Sequence, residues 1–178
     1  MADVKKGIIL KGIGGLYFVE TADAVFECKA RGIFRKSGQK PLVGDEVDIL
    51  IGEDGANNTI EKIYPRRSEL MRPPVANLDR LFILSSVRDP NPSTLIIDKM
   101  TAIACWKNIE PVIVITKDDL GDTSELRGIY EKAGIPFFSV SSRDGRGADE
   151  VKAMLSGHIS AFAVSYTHLR AHETAANL

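Results

Sequence analysis

The sequence predicts a mixed fold: an N-terminal all-β barrel of the OB type, followed by a partial α/β domain built on a parallel sheet. Three observations carry this reading. Residues 1–64 contain five short strand-like runs punctuated by glycines, the pattern of a small closed sheet. From Leu78 onward, strand and helix patterns alternate at short spacing, as in a parallel α/β layer. Val112 to Ile115 is an unbroken run of four β-branched residues, which fits a strand covered on both faces and not an alternating, half-wet one. The expected organisation is therefore residues 1–70 as the barrel and 71–163 as the α/β part, while the string SYTHLRAHET marks 164–178 as a tail foreign to the fold.

The five barrel strands are read at Gly7–Lys11, Leu16–Val19, Ala24–Ala30, Glu46–Ile51 and Thr59–Tyr64. Val47, Ile49 and Ile51 alternate with Glu46, Asp48 and Leu50, so one face is apolar. In the last strand the apolar positions Ile60 and Ile63 slip by one. The connection Gly32 to Gly44, GIFRKSGQKPLVG, reads as a basic loop. Lys29, Arg31, Arg35, Lys36 and Lys40 supply the charge, and Phe34 sits among them. Cations beside an aromatic ring suit loop or single-stranded RNA, through phosphate contacts and base stacking. The alternative is a solvated loop whose Phe34 tucks under the barrel. The stretch Tyr64 to Pro74 resists helix through its Pro-Pro pair and reads as a linker.

In the second half, strands are expected at Leu78–Val87, Pro111–Ile115, Ile135–Val140 and Ile159–Val164. Helices are expected at Ser93–Lys107, Thr123–Ala133 and Gly147–Leu155, the first with Ile96, Met100, Ile103 and Lys107 on one face. Open parallel sheets bind ligands beyond the carboxyl ends of their strands. There the sequence places Thr116, Lys117, Asp118 and Asp119, and one strand later Ser141 and Ser142. A carboxylate at Asp119 matches the two donors on the guanine edge, N1–H and the 2-amino group, whereas adenine has no such pair. The stem of Lys117 can lie over the base while its charge stays wet. Backbone amides at Ser141 and Ser142 could meet the base carbonyl. Each loop alone also reads as an ordinary strand-to-helix turn; the two in order are more specific.

The remaining composition is bland. Of 178 residues, 44% are hydrophobic and 26% charged, with a formal net charge of −1, so any nucleic-acid surface must be a local patch. No run approaches the length of a membrane span, no leader pattern is present, and a cytoplasmic monomer is expected. Cys28 and Cys105 each lie in an apolar context and are expected to be buried thiols. No G-x-G-x-x-G follows a strand, which argues against a dinucleotide enzyme.

RPPVANLDR at 72–80, STLIIDKM at 93–100 and VITKDDL at 114–120 resemble the ribosome small subunit-dependent GTPase A family. GIFRKSGQKPLVGDEV at 32–47 is similar to that family's OB domain, and the likeness runs from about residue 5 to Ala163. The resemblance implies a circularly permuted GTPase whose guanine-reading motif precedes its phosphate-binding loop. It also implies GTP or GDP as ligand, Mg²⁺ and one structural Zn²⁺ as further cofactors, and the small ribosomal subunit with its rRNA as partner. The implied activity is GTP hydrolysis late in subunit maturation. Thr116, Lys117 and Asp119 match the base-specificity motif, with Thr where Asn is commoner, and Ser141 and Ser142 match the second base loop. No Gly-Lys dipeptide occurs in the sequence, so no lysine loop for the β- and γ-phosphates is present. The two D-x-x-G strings, beginning at Asp118 and Asp144, overlap the base loops and cannot act as a γ-phosphate switch. The zinc ligands are likewise not recognised, and His168 and His172, four apart, lack a third ligand. The expectation is thus a fragment that binds the base and does not hydrolyse GTP. The competing reading is an RNA- or ribosome-binding module that uses no nucleotide.

Overall fold

The computed structural model describes residues 3–36, 38–52 and 57–164, without the side chains of residues 35 and 36. The chain divides into two compact units, Met1–Leu78 and Asp79–Leu178. His168 and His172 lie outside the described residues.

In the first unit, β1 (Val4–Ile13), β2 (Leu16–Thr21), β3 (Val25–Ala30), β4 (Glu46–Leu50) and β5 (Asn58–Ile63) close into a barrel in the order β1-β2-β3-β5-β4. The pairs are antiparallel except β3 with β5. Alternation decides what points inward: Ile9, Tyr17, Val19, Cys28, Val47, Ile49, Ile60 and Ile63 form one buried core. The slip between Ile60 and Ile63 is a β-bulge. Ile49 pairs with Ile60 but Asp48 with Lys62, leaving Glu61 as the extra residue, so both isoleucines stay inside.

Three expectations change here. The 32–44 connection is not wholly loop, because Gly32–Lys36 forms a short helix, α1. Phe34 on that helix is buried in the barrel core, as the alternative reading of this stretch has it. The 64–74 linker is ordered. Glu69–Met71 (β6) and Pro74–Ala76 (β7) form an antiparallel hairpin, and the first unit extends to Leu78 instead of residue 70. The hairpin is tied down by charge. Asp45 is wholly buried, and Arg66 donates to both of its carboxylate oxygens (Nε 2.7 Å, Nη2 2.8 Å). Arg66 also donates to Glu69 (2.9 Å) and to the carbonyl of Lys40 (2.7 Å). Asn77 adds a second tie, donating to Gly44 O and accepting from the amide of Arg67.

The second unit is a four-stranded parallel sheet in the order β10-β9-β8-β11. Its strands are β8 (Arg80–Ser86), β9 (Glu110–Thr116), β10 (Phe137–Val140) and β11 (Ser160–Val164). Val112, Ile113, Val114 and Ile115 are all buried, as an unbroken apolar run in a two-sided sheet requires. Helix α4 (Ala148–Leu155) lays Val151, Met154 and Leu155 on the face made by Phe82, Val112 and Val114. Helix α3 (Ser124–Lys132) packs against β10. Helix α2 (Thr94–Trp106) packs against β8 and β9 through Ile97, Thr101 and Ala104. The face expected from Ile96, Met100, Ile103 and Lys107 is thus rotated by about one residue, roughly 100°. Ile103 is exposed, and so is Cys105, which contradicts the expected pair of buried thiols.

The thiols are accordingly unequal. Burial pushes the Cys28 thiol up to about 11, so little of it is thiolate at neutral pH. A disulfide reagent at about pH 8 should modify Cys105 promptly and reach Cys28 only when the barrel unfolds. Two equally fast thiols would contradict this burial.

Candidate nucleotide-base site

The site is assembled from two loops at the carboxyl ends of neighbouring parallel strands. After β9 the chain enters a left-handed residue, Lys117 (φ 59°), and then a single 3-10 turn, Asp118–Leu120. After β10 it runs from Ser141 to the start of α4, whose N-cap is Gly147. Parallel pairing of Val140 with Thr116 brings these ends side by side.

Thr116 closes β9, and the other predicted base-site residues lie in this pair of loops. Thr116 Oγ1 donates to Ser85 O (3.1 Å), bracing the end of β9 to β8. Lys117 Nζ donates to the carbonyls of Arg88 (3.3 Å) and Asp89 (2.5 Å), so the left-handed turn has a tether of its own. Asp119 is exposed, and its Oδ1 accepts from Ser141 Oγ at 3.0 Å. That bond joins the two loops directly and orients the carboxylate. A carboxylate has about four lone-pair sites, so Ser141 leaves capacity for two donors from a ligand. Ser141 is buried and heavily engaged: its amide donates to Arg146 O (3.0 Å) and its carbonyl accepts from Gly145 N (3.0 Å). The expectation that the Ser141 amide meets a base carbonyl is therefore corrected, since that N–H is spent inside the loop. Ser142 is exposed.

Asp118 does not face the same task. Its Oδ1 accepts from Thr123 Oγ1 (3.4 Å) and its Oδ2 from Arg146 Nη1 (2.9 Å). Thr123 is in turn bonded to Ser139 Oγ (2.8 Å), which accepts from Arg127 Nη2 (3.2 Å). Sequence reading missed Thr123, Arg127, Ser139 and Arg146. Their partners lie in a different loop or element, and no local pattern announces them.

In the first unit, Lys29, Arg31 and Lys40 are exposed, as a surface for phosphates requires, while Arg31 also pairs with Glu61. The side chains of Arg35 and Lys36 lie outside the described residues. A cavity of about 540 Å³ in this unit is lined by Gly14, Gly15, Tyr17, Phe34, Lys40 and Pro41 among others.

Residues 63–165 match the family described as RsgA GTPase, and residues 6–57 match its N-terminal domain. The chain belongs to the RsgA GTPase family. One RsgA relative, the small ribosomal subunit biogenesis GTPase of Alkaliphilus metalliredigens, is 42% identical over 164 residues, 90% of this chain and 56% of that protein. The RsgA of Ruminiclostridium cellulolyticum is 43% identical over 162 residues, 88% and 53% of the two chains. The chain thus spans about half the length of the curated RsgA proteins it matches. Among solved structures, YloQ, described as a circularly permuted GTPase, superposes with a TM-score of 0.81 at 28% identity, over 93% of this chain and 61% of that one. YjeQ from Thermotoga maritima gives 0.79 at 33%, over 90% and 60%. The barrel followed by a parallel sheet is therefore an arrangement shared with YloQ and YjeQ.

Proposed function

We propose that this chain carries the guanine-reading loops and the RNA-docking barrel of a GTPase that acts in small ribosomal subunit biogenesis. The observation that supports it most is Asp119: an exposed carboxylate at the end of a buried parallel strand, oriented by Ser141 from the neighbouring loop. Guanine offers this carboxylate two N–H donors, and charge-assisted bonds of that kind contribute about 1.5–3 kcal/mol each. Lys117 supplies the stem that covers the base. Lys29, Arg31 and Lys40, with Arg35 and Lys36 of the same stretch, are the proposed rRNA contacts, and the small subunit is the proposed partner. Phe34 packs in the barrel core. No group of three His, Cys, Asp or Glu side chains that could hold a metal ion occurs among the described residues. None of the described helices is long and apolar enough to cross a membrane.

The test is base selectivity. A fluorescent GDP should bind and be displaced by GTP but not by ATP or ADP, at millimolar concentrations if need be, because no Gly-Lys loop holds the phosphates. Asp119→Asn should weaken GDP about 10–100-fold, the loss of one charge-assisted bond. The same change should favour xanthine nucleotides, whose 2-carbonyl accepts from the new amide. ADP competing as well as GDP, or an Asp119→Asn chain that still prefers guanine, would refute the assignment. A chain that binds small-subunit RNA but no nucleotide at all would favour the nucleotide-independent module.

A further inference from the structure

We propose that Arg146 is a positioning residue that clasps the two base loops together through Asp118, holding Asp119 and Ser141 at the separation a guanine needs. The inference rests on the base-site reading and adds a residue that does not itself touch the base. Two observations carry it. First, the aspartates that open the chain's two D-x-x-G strings are held by one guanidinium. Arg146 Nη1 donates to Asp118 Oδ2 and Arg146 Nη2 to Asp144 Oδ2, both at 2.9 Å. Asp118 belongs to the loop after β9 and Asp144 to the loop after β10, so the planar fork spans the gap between them. Second, the far side of Asp118 is fixed from within the fold. Its other oxygen accepts from Thr123, which continues through Ser139 to Arg127 on α3. Its side chain is only 15% exposed. Asp118 is therefore a fixed post, and Arg146 is the strap running from it to the second loop.

The strap pulls on the residues that matter. The carbonyl of Arg146 accepts from the Ser141 amide, so the backbone that carries the guanidinium also holds the serine whose hydroxyl orients Asp119. The two connections between the loops thus work in parallel: Ser141 to Asp119 directly, and Arg146 to Asp118 beside it. Losing the second leaves the first alone to fix the spacing. The guanidinium is 58% exposed, so its contribution is that of a surface ion pair and is screened by salt. The charges of Arg146 and Asp144 are reinforced by each other, the Asp144 carboxyl being held down at about 2.

Two measurements on the whole chain test this. Amide hydrogen exchange in wild type and Arg146→Ala should differ at residues 117–120 and 141–147, with about 3–5-fold faster exchange in the variant and no change in the barrel. Equal exchange overturns the clasp whatever the nucleotide results. Fluorescent GDP should bind Arg146→Ala about 3–5-fold more weakly at low salt, with the gap closing in molar salt. Arg146→Lys should lie between, because it keeps the charge and loses the fork. Arg146→Glu should be weaker still, because it sets a third carboxylate beside Asp118 and Asp144. A loss that ignores salt means Arg146 acts otherwise, and overturns the proposal. A wild-type chain with no preference for GDP over ADP overturns the base-site reading, and Arg146's part in it; the exchange comparison still decides whether the ion pair joins the loops.

Discussion

Arg66→Ala is expected to lower the unfolding free energy of the first unit by about 3–5 kcal/mol, among the largest single-residue effects in the chain. Removing the guanidinium leaves the Asp45 carboxylate wholly buried without its bidentate partner. A buried charge that loses its counter-ion costs far more than an exposed pair is worth. The amide of Leu42, which also donates to Asp45 at 2.7 Å, cannot neutralise it. The same change frees Glu69 and the Lys40 carbonyl, so the β6–β7 hairpin and the 40–45 segment should loosen together. Arg66→Lys should recover part of the loss, as it keeps the charge but not the two-pronged geometry. Urea unfolding followed through the barrel tyrosines measures the effect. A loss below about 1 kcal/mol would mean that the pair behaves as an exposed one.

That pair also marks where sequence reading stops. Repeating patterns were legible because they are local. Val112 to Ile115 announced a two-sided strand, and Val47 and Ile49 announced an inward face. The slip from Ile60 to Ile63 was an honest record of the bulge at Glu61. The order Thr116-Lys117-Asp118-Asp119 then Ser141-Ser142 located the site because both loops follow apolar strands. What stayed hidden depends on partners distant in sequence. Arg66 finds Asp45 twenty-one residues earlier, which turns a proline-rich linker into an ordered hairpin. Arg146 finds Asp118 twenty-eight residues earlier.

Helix α2 misled for another reason. Leu95, Ile96, Ile97, Met100, Ile103 and Trp106 supply apolar side chains around most of the helix, so periodicity alone does not choose a face. Packing chose the narrow side, Ile97, Thr101 and Ala104, which allows close approach to β8 and β9. Phe34 shows the converse. An aromatic residue within a basic stretch reads as a binding group, yet its large apolar surface also favours burial, and Phe34 is in the core.

Gly147→Ala should be the most damaging small substitution in the second unit, costing about 2–5 kcal/mol and abolishing detectable guanine selectivity. Gly147 adopts φ +76°, where a side chain is strained, and a Cβ there would stand 2.1 Å from Ser139 O and 3.0 Å from Val140 Cγ1. Neither neighbour can yield cheaply. Ser139 and Val140 are paired to Ile115 and Thr116 in the sheet, and Ser139 Oγ is held by Thr123 and Arg127. The clash would therefore push the start of α4 away from β10, and the loop between them carries Ser141 and Arg146. Gly145→Ala is the matched control, with nearly the same φ (+77°) but nothing within 4 Å of its Cβ. It should cost only the conformational part, about 1–2 kcal/mol. Thermal or urea unfolding of the two variants, read alongside GDP and ADP binding, separates strain from collision. Equal costs at 145 and 147 would show that the close approach of Ser139 to the helix start is not what holds the second base loop in place.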